Sequence, residues 1–112
     1  MKTLVVIPTY NEASNIVSNI SRVLLAHPNL TILVVDDSSP DKTAEAVRES
    51  FSQDARVEII IRPTKLGLGL AYLEGFEWAF ANGFDFVVEM DADGSHRVED
   101  LGRLLEASTT AD

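Results

Sequence analysis

The sequence has no cysteine, few basic residues and no long apolar run, and each of these absences excludes a class of protein. Without cysteine, the 112 residues can form neither a disulfide scaffold nor a thiolate metal site. The nine lysines and arginines stand against eighteen acidic residues, so a basic nucleic-acid-binding face is not expected. The longest apolar runs, at 4–8 and 32–35, are too short to span a bilayer. The start at Met1-Lys2 leads directly into a strand-like segment, so no signal peptide is expected.

What the sequence does contain is an alternation of short β-rich runs and helical patterns, within the length of one small domain. Strands are predicted at 3–7, 31–35, 57–61 and 84–90, and three of them are nearly all apolar, as in parallel strands that are covered on both faces. Their order predicts an α/β fold in which a parallel sheet is flanked by helices on both faces.

Four helices are predicted from apolar spacing and end signals. The first carries apolar residues at helical spacing, namely Ile16, Ile20, Val23 and Leu24. The second is expected to begin at Ser39-Pro40-Asp41, with Ser39 as its cap. The third is predicted over 68–81, with Asn82-Gly83 at its end and bulky core residues Leu73, Phe76, Trp78 and Phe80. The fourth is marked by Val98, Leu101, Leu104 and Leu105.

Polar residues follow each predicted strand, at 9–12, 36–39, 62–69 and 91–96. Ligands of parallel sheets bind beyond the carboxyl ends of the strands, so these four segments form the predicted site. Asp91-Ala92-Asp93 gives the clearest chemical signal of the four segments. Side chains two apart on an extended segment point the same way, so both carboxylates can face one crevice. Paired carboxylates suit Mg²⁺ or Mn²⁺, which could bridge a diphosphate; the alternative is a solvated turn in which Asp93 caps the next helix.

The other strand ends each have a ligand-binding and a structural interpretation. One of Asp36 and Asp37 could accept hydrogen bonds from a nucleoside while the other holds the loop, or both could serve an Asx-type turn. After the first strand, Tyr10 could stack on a base and Glu12 could bind ribose hydroxyls, or Asn11 and Glu12 could cap a helix.

The segment 65–69, with Lys65, Gly67 and Gly69, could present backbone amides to an anion, or it could be a plain strand–helix turn.

Taken together, these strings resemble a known family. Residues 5–12 (VVIPTYNE) resemble the opening of family 2 glycosyltransferases of the GT-A fold, 34–41 (VVDDSSPD) are similar to their second-strand nucleotide motif, and 90–93 (MDAD) to their metal-binding Asp-X-Asp motif. Residues 65–72 (KLGLGLAY), together with 75–79 and 93–96, resemble the dolichyl- and polyprenyl-phosphate mannose synthases in particular. The resemblance extends over essentially all of residues 1–112.

The resemblance implies a Rossmann-like nucleotide-binding half and a role for individual residues. It implies that Pro8, Tyr10, Glu12, Val35 and Asp37 bind the nucleotide sugar, and that Asp91, Ala92 and Asp93 meet its diphosphate. Asp91 and Asp93 would be the catalytic carboxylates, Asp93 and Ser95 would lie at the metal ion, and Lys65, Gly67 and Gly69 would meet the acceptor phosphate.

The function implied by the resemblance is an inverting transfer of mannose from GDP-mannose to a polyprenyl (dolichyl-type) phosphate, with Mg²⁺ or Mn²⁺ as cofactor, at the cytoplasmic face of a membrane. Residues 1–112 would then be an N-terminal fragment without the acceptor half, and a membrane-anchoring segment or subunit would lie outside this chain.

Three alternatives are open to test. They are a polyprenyl-phosphate glucosyltransferase that uses UDP-glucose, a module that binds the nucleotide sugar without turnover, and a phosphate-accepting receiver domain. The receiver domain is disfavoured, because the acidic pair follows the second strand and Arg62-Pro63 ends the third.

Overall fold

The computed structural model describes residues 2–63 and 68–91. These residues form four strands and three helices: β1 Thr3–Thr9, α1 Ile16–Ala26, β2 Thr31–Asp36, α2 Thr43–Phe51, β3 Val57–Ile61, α3 Leu68–Ala81 and β4 Phe86–Glu89. No helix in these two ranges is long and apolar enough to cross a membrane. The fourth predicted helix, around 98–105, lies outside the described residues.

The strands form one parallel sheet in the order β3-β2-β1-β4, which confirms the predicted α/β architecture. The register aligns the strand ends: Thr9 lies opposite Asp36, and Asp36 lies opposite Ile61. On the other side of β1, Val6 lies opposite Glu89, so β4 ends a little lower in the sheet.

Both faces of the sheet are covered, and the alternation of side chains along each strand explains the continuous apolar runs. Val5 and Ile7 of β1 join the core that contains residues of α1 and of α2. Leu4 and Val6 point to the opposite face and pack in the core that contains residues of α3. A strand that is buried on both faces gains from apolar residues at every position.

Two predicted strands are extended at their ends, and the fourth is shortened from 84–90 to Phe86–Glu89. β1 and β2 continue to Thr9 and Asp36, two polar residues whose buried side chains hydrogen-bond to each other across the sheet. β4 begins at Phe86 rather than at residue 84, because the amide of Phe84 still donates to the carbonyl of Ala79 at the end of α3.

The predicted helix start at Ser39 is wrong. α2 begins at Thr43, and its N-cap residue Lys42 has φ 65° and makes no side-chain capping hydrogen bond. The Ser39 hydroxyl is used instead by the β2 strand end, where it donates to Asp36. α1 begins at Ile16, whose amide donates to the Glu12 carbonyl at 2.9 Å, and its N-cap residue Asn15 makes no side-chain capping hydrogen bond.

Helix α3 has the predicted bounds, with Gly83 at φ 76° just after its end, but its bulky residues do not all enter the core. Trp78 packs against the α3-side core, whereas Phe80 is 90% exposed and Leu73 51% exposed. The prediction that Leu73, Phe76 and Phe80 supply core bulk is therefore wrong. Small residues face the sheet instead, since a Cβ on Gly75 would lie 2.6 Å from Cγ1 of Val6.

Candidate functional site

The sheet order creates a crevice at the carboxyl ends of β1 and β4. From β1 the chain passes to β2 and β3 on one side, and then returns to β4 on the other side of β1. Loops that leave neighbouring strands on opposite sides of such a switch point diverge and leave room for a ligand. The residues that follow β1 and β4, including Tyr10 and Asp91, border this position.

The Asp36 carboxylate ties the ends of β1 and β2 together. It is 1% exposed, and its Oδ1 accepts hydrogen bonds from the hydroxyls of Thr9 and Ser39, both at 2.6 Å. Its Oδ2 accepts a third from the Ser39 amide at 2.9 Å. Of the acidic pair, Asp36 is therefore the residue that holds the loop.

Asp37 forms a buried ion pair with Arg62, the residue that follows β3. Nε of Arg62 donates to Oδ1 of Asp37 at 2.5 Å, and a terminal guanidinium nitrogen donates to Oδ2 at 2.9 Å. The side chain of Arg62 is 2% exposed and that of Asp37 is 8% exposed, and the hydrogen bonding of Arg62 to the Asp37 carboxylate raises the pKa of Arg62 above its ordinary value. The bidentate geometry fixes the plane of the Asp37 carboxylate and balances its charge.

Arg62 is a site residue that the motif analysis missed. Its side chain and backbone both join the strand ends, since its amide donates to the Asp36 carbonyl at 2.7 Å and its carbonyl accepts from the Ser38 hydroxyl. The sequence signal that could have identified Arg62 is its position as a charged residue directly after the apolar strand β3. The neighbouring strand β2 ends in two successive acids, which are possible partners for such a charge.

The loop after β1 is held in one shape by the loop after β2. Three successive amides donate to side chains of that second loop: Asn11 to Ser39 Oγ at 2.9 Å, Glu12 to Thr43 Oγ1 at 3.0 Å, and Ala13 to Asp41 Oδ2 at 3.1 Å. Asn11 has φ 59°, a left-handed conformation that asparagine tolerates better than most residues. Tyr10, 37% exposed, thereby projects from a fixed backbone.

Pro8 and Val35 lie opposite each other in the β1–β2 ladder, and both are buried. The Val35 side chain is part of the α3-side core. A ligand at the strand ends would therefore meet the edge of the sheet at this pair rather than the Val35 side chain.

Asp91 follows β4, directly after Met90, whose amide donates to the Val6 carbonyl of β1. Its partly buried carboxylate accepts a hydrogen bond from the Tyr72 hydroxyl on α3, with 3.2 Å between the two oxygens. Burial raises the pKa of Tyr72 well above its ordinary value, and the nearby charge of Asp91 adds to this shift. The phenol therefore remains a donor at neutral pH.

The remaining predicted residues lie largely outside the described ranges. These are Ala92, Asp93 and Ser95 of the diphosphate and metal site, and Lys65 and Gly67 of the phosphate loop. Gly69 is described: it lies exposed in the first turn of α3, and a Cβ placed on it would contact nothing within 4 Å.

No group of three or more metal-binding side chains forms within residues 2–63 and 68–91. Asp91 is the predicted diphosphate ligand that these residues contain, and its carboxylate has the hard oxygen atoms that Mg²⁺ and Mn²⁺ prefer. The donor chemistry of the strand end therefore fits the predicted ion.

A separate surface cleft of about 470 Å³ lies between the end of α2 and the start of β3, and its lining includes Phe51, Asp54 and Glu58. It is at the amino end of β3, away from Arg62 and the acidic strand ends. Since its lining includes none of the predicted site residues, it has no place in the site.

Comparison with known proteins agrees with this geometry. Residues 4–111 match the protein family described as Glycosyl transferase family 2. An undecaprenyl-phosphate mannosyltransferase of Micrococcus luteus is 48% identical over 112 residues, which are 100% of this chain and 46% of that protein. A polyprenol monophosphomannose synthase of Mycolicibacterium smegmatis is 50% identical over 107 residues, which are 95% of this chain and 40% of that protein.

Solved structures resemble the fold as well. The mannosyltransferase PcManGT of Pyrobaculum calidifontis, in complex with GDP-Man and Mn²⁺, matches with a TM-score of 0.73 and 27% identity, over 82% of this chain and 27% of that one. TarS of S. aureus (residues 1–349) matches with a TM-score of 0.75 and 25% identity, over 95% of this chain and 32% of that one. The chain thus spans less than half the length of each of these proteins.

Proposed function

This chain belongs to glycosyl transferase family 2, and we propose that it forms the nucleotide-sugar-binding part of an inverting mannosyltransferase that uses GDP-mannose and a polyprenyl phosphate. The observation that carries the proposal is that Asp91 follows β4, the strand that pairs with β1 at the switch point of a parallel sheet. The relatives named for polyprenyl-phosphate mannosyl transfer, at 48% and 50% identity, support the choice of donor and acceptor.

In this proposal the nucleoside lies over the ends of β1 and β2. Asp37, held by Arg62, accepts hydrogen bonds from it, Tyr10 stacks on the base, and Glu12 binds ribose hydroxyls. Pro8 and Val35 form the floor below them. Because the amides at 11–13 are already bound by side chains of the next loop, these groups are oriented before the ligand arrives.

The diphosphate lies at the end of β4. We assign Asp91, Ala92 and Asp93 to it, with Asp93 and Ser95 at a Mg²⁺ or Mn²⁺ ion, and Asp91 and Asp93 as the catalytic carboxylates. A bound divalent cation would supply neutralisation of the negative charge that develops on the leaving diphosphate. The net charge of −9 is consistent with this need, since an acidic protein and a diphosphate repel each other.

The acceptor supplies its own nucleophile. A phosphate monoester has a second pKa near 6, so the polyprenyl phosphate is largely ionised at neutral pH and no protein base is required. One phosphate oxygen attacks C1 of mannose from the face opposite the departing GDP, and the configuration inverts. The protein contributes by positioning the two reactants and by stabilising the leaving group.

The acceptor side of the proposed site contains few residues of this chain. We assign Lys65, Gly67 and Gly69 to the acceptor phosphate. We assign the rest of the acceptor half to the part of the relatives' length that this chain does not cover. Because a polyprenyl phosphate resides in a bilayer, we propose that the reaction takes place at the cytoplasmic face of a membrane, reached through a segment or subunit outside this chain.

Calorimetry tests the binding half of the proposal. GDP should bind the chain in Mn²⁺ or Mg²⁺ and bind much more weakly in EDTA, and Asp91→Asn should lower the metal-dependent affinity by about 10- to 100-fold. Glu58→Gln, which removes an exposed acid on β3, is the matched control and should leave the affinity unchanged. Equal GDP affinity in wild type and Asp91→Asn would refute the assignment.

A transfer assay tests the chemistry. The full-length protein is supplied with GDP-mannose and UDP-glucose in parallel, each with a polyprenyl phosphate, and mannosyl lipid should form from GDP-mannose. Formation of glucosyl lipid from UDP-glucose would replace GDP-mannose by UDP-glucose as the proposed donor. Metal-dependent GDP binding without transfer of either sugar would make the chain a binding module.

A further inference from the structure

The two acidic strand ends of the site have electrostatically different partners. Asp37 is paired with the cation of Arg62 through two hydrogen bonds, at 2.5 and 2.9 Å. Asp91 accepts a hydrogen bond from the neutral hydroxyl of Tyr72, at 3.2 Å. Each donor fixes the orientation of a carboxylate, but only the guanidinium carries a charge that would oppose the binding of a cationic ligand.

A guanidinium next to a carboxylate cancels its charge and competes with any metal ion for its oxygens. A phenol hydroxyl orients a carboxylate by one hydrogen bond and brings no charge of its own. The Tyr72 hydroxyl therefore orients the Asp91 carboxylate without itself adding a positive charge that would compete with a cation. The use of arginine at Asp37 is suited to hydrogen bonding with an uncharged part of the ligand.

We propose that Tyr72 is a positioning residue, whose hydroxyl holds the Asp91 carboxylate at the end of β4 in the orientation that a cation-bound diphosphate requires. This inference rests on the proposed function and extends it to a residue that lies nineteen positions earlier, on α3. Tyr72 acts through Asp91 and needs no contact with the ligand itself.

The position of Tyr72 is well determined. It lies next to Ala71, which is 1% exposed and packs against the sheet, and its own ring packs against the α3-side core. Its ring also stacks on that of Phe76, with 6.4 Å between the ring centroids and 23° between the ring planes. A donor fixed by helix packing restricts the rotation of Asp91 more than a mobile surface side chain would.

The test is Tyr72→Phe, which removes the hydroxyl and keeps the ring. Calorimetric titration of the chain with GDP should give an affinity about 10-fold lower in Mn²⁺, at the low end of the loss that follows removal of an outer hydrogen-bond partner at a metal site. In EDTA the variant and the wild type should bind GDP equally. Phe80→Leu, which removes a 90% exposed ring on the same helix and keeps the Tyr72 hydroxyl, is the matched control and should retain the wild-type response to Mn²⁺.

The outcomes are distinguishable. An unchanged Mn²⁺-dependent affinity in Tyr72→Phe overturns the inference, and so does an equal loss with and without Mn²⁺, which would indicate a role in packing alone. Thermal unfolding of the same samples separates that packing role from a loss of folded protein. If wild-type binding of GDP does not depend on Mn²⁺, the proposed function itself fails, and the inference fails with it.

Discussion

Replacement of Arg62 by methionine should reveal how strongly its ion pair with Asp37 stabilises the strand ends. The substitution keeps an unbranched side chain of similar length but removes both donors to Asp37. A carboxylate that is 8% exposed would then lie without its cation. Removal of one partner of a buried pair costs about 3–5 kcal/mol, because the remaining charge has lost both water and its counter-ion.

That cost is large compared with the total stability of a small domain, which is about 5–15 kcal/mol. With a denaturant dependence of about 1–3 kcal/mol per molar urea, the unfolding midpoint should fall by more than about 1 M. Trp78 is the only tryptophan of the chain, and its ring centroid lies 5.7 Å from that of Phe84 in the core, so its fluorescence reports unfolding.

A second variant and a control complete the experiment. Asp37→Asn combined with Arg62→Met removes both charges, and it should recover much of the stability that Arg62→Met loses. Arg56→Met breaks a partly exposed pair with Asp54, in which the Arg56 side chain is 40% exposed and that of Asp54 24%, and it should shift the midpoint much less than Arg62→Met does. A shift for Arg62→Met as small as that for Arg56→Met would refute the reasoning.

Three further predictions concern the packing of α3 and the surface. Gly75→Ala would place a Cβ 2.6 Å from Val6 Cγ1, so we expect a loss of about 1–3 kcal/mol in urea unfolding, with partial recovery when Val6→Ala is added. Phe80→Gln, at a residue 90% exposed, should change the free energy of unfolding by no more than about 0.5 kcal/mol. The hydrogen bond from Arg56 lowers the pKa of Asp54 to about 2. The stabilisation that the ionised Asp54 gives the folded chain is therefore complete above about pH 4 and is lost as the pH falls towards 2. Asp54→Asn should therefore flatten the fall in melting temperature over that range; an unchanged slope would contradict the assignment.

The strands and their polar ends could be predicted from the sequence, because the physics that defines them is local. A strand covered on both faces needs apolar residues throughout, and the runs around Val5 and Val34 show this directly. The polar segments that follow each run then identify the edge of the sheet where a ligand would bind.

The helix starts and the exposed face of α3 could not be predicted in the same way. Ser39 has the composition of a helix cap, but its hydroxyl bonds back to Asp36, three residues earlier, and α2 begins only at Thr43. The run 68–81 is apolar nearly all round, so its periodicity does not distinguish Ala71 and Ala79, which face the sheet, from Phe80, which does not.

The division of roles among the acidic residues also needed the structure. Asp36 and Asp37 are adjacent in sequence, yet one binds the loops of β1 and β2 and the other binds Arg62, which lies 25 residues further along the chain. Likewise, the contact between Tyr72 and Asp91 depends on the packing of α3 against the sheet. Long-range pairs of this kind leave no spacing rule in the sequence.

The most direct test of the account is where a paramagnetic ion binds in the presence of the donor. Amide NMR spectra of the ¹⁵N-labelled chain would be recorded with GDP-mannose and increasing substoichiometric Mn²⁺. We predict that signals broaden first at the ends of β1 and β4, at Tyr10, Asn11 and Asp91, while those of Asp54 and Glu58 at the amino end of β3 persist. Broadening that begins around Asp54 and Glu58, or that is spread evenly over the acidic surface, would contradict a cation-held nucleotide sugar at the carboxyl ends of the strands.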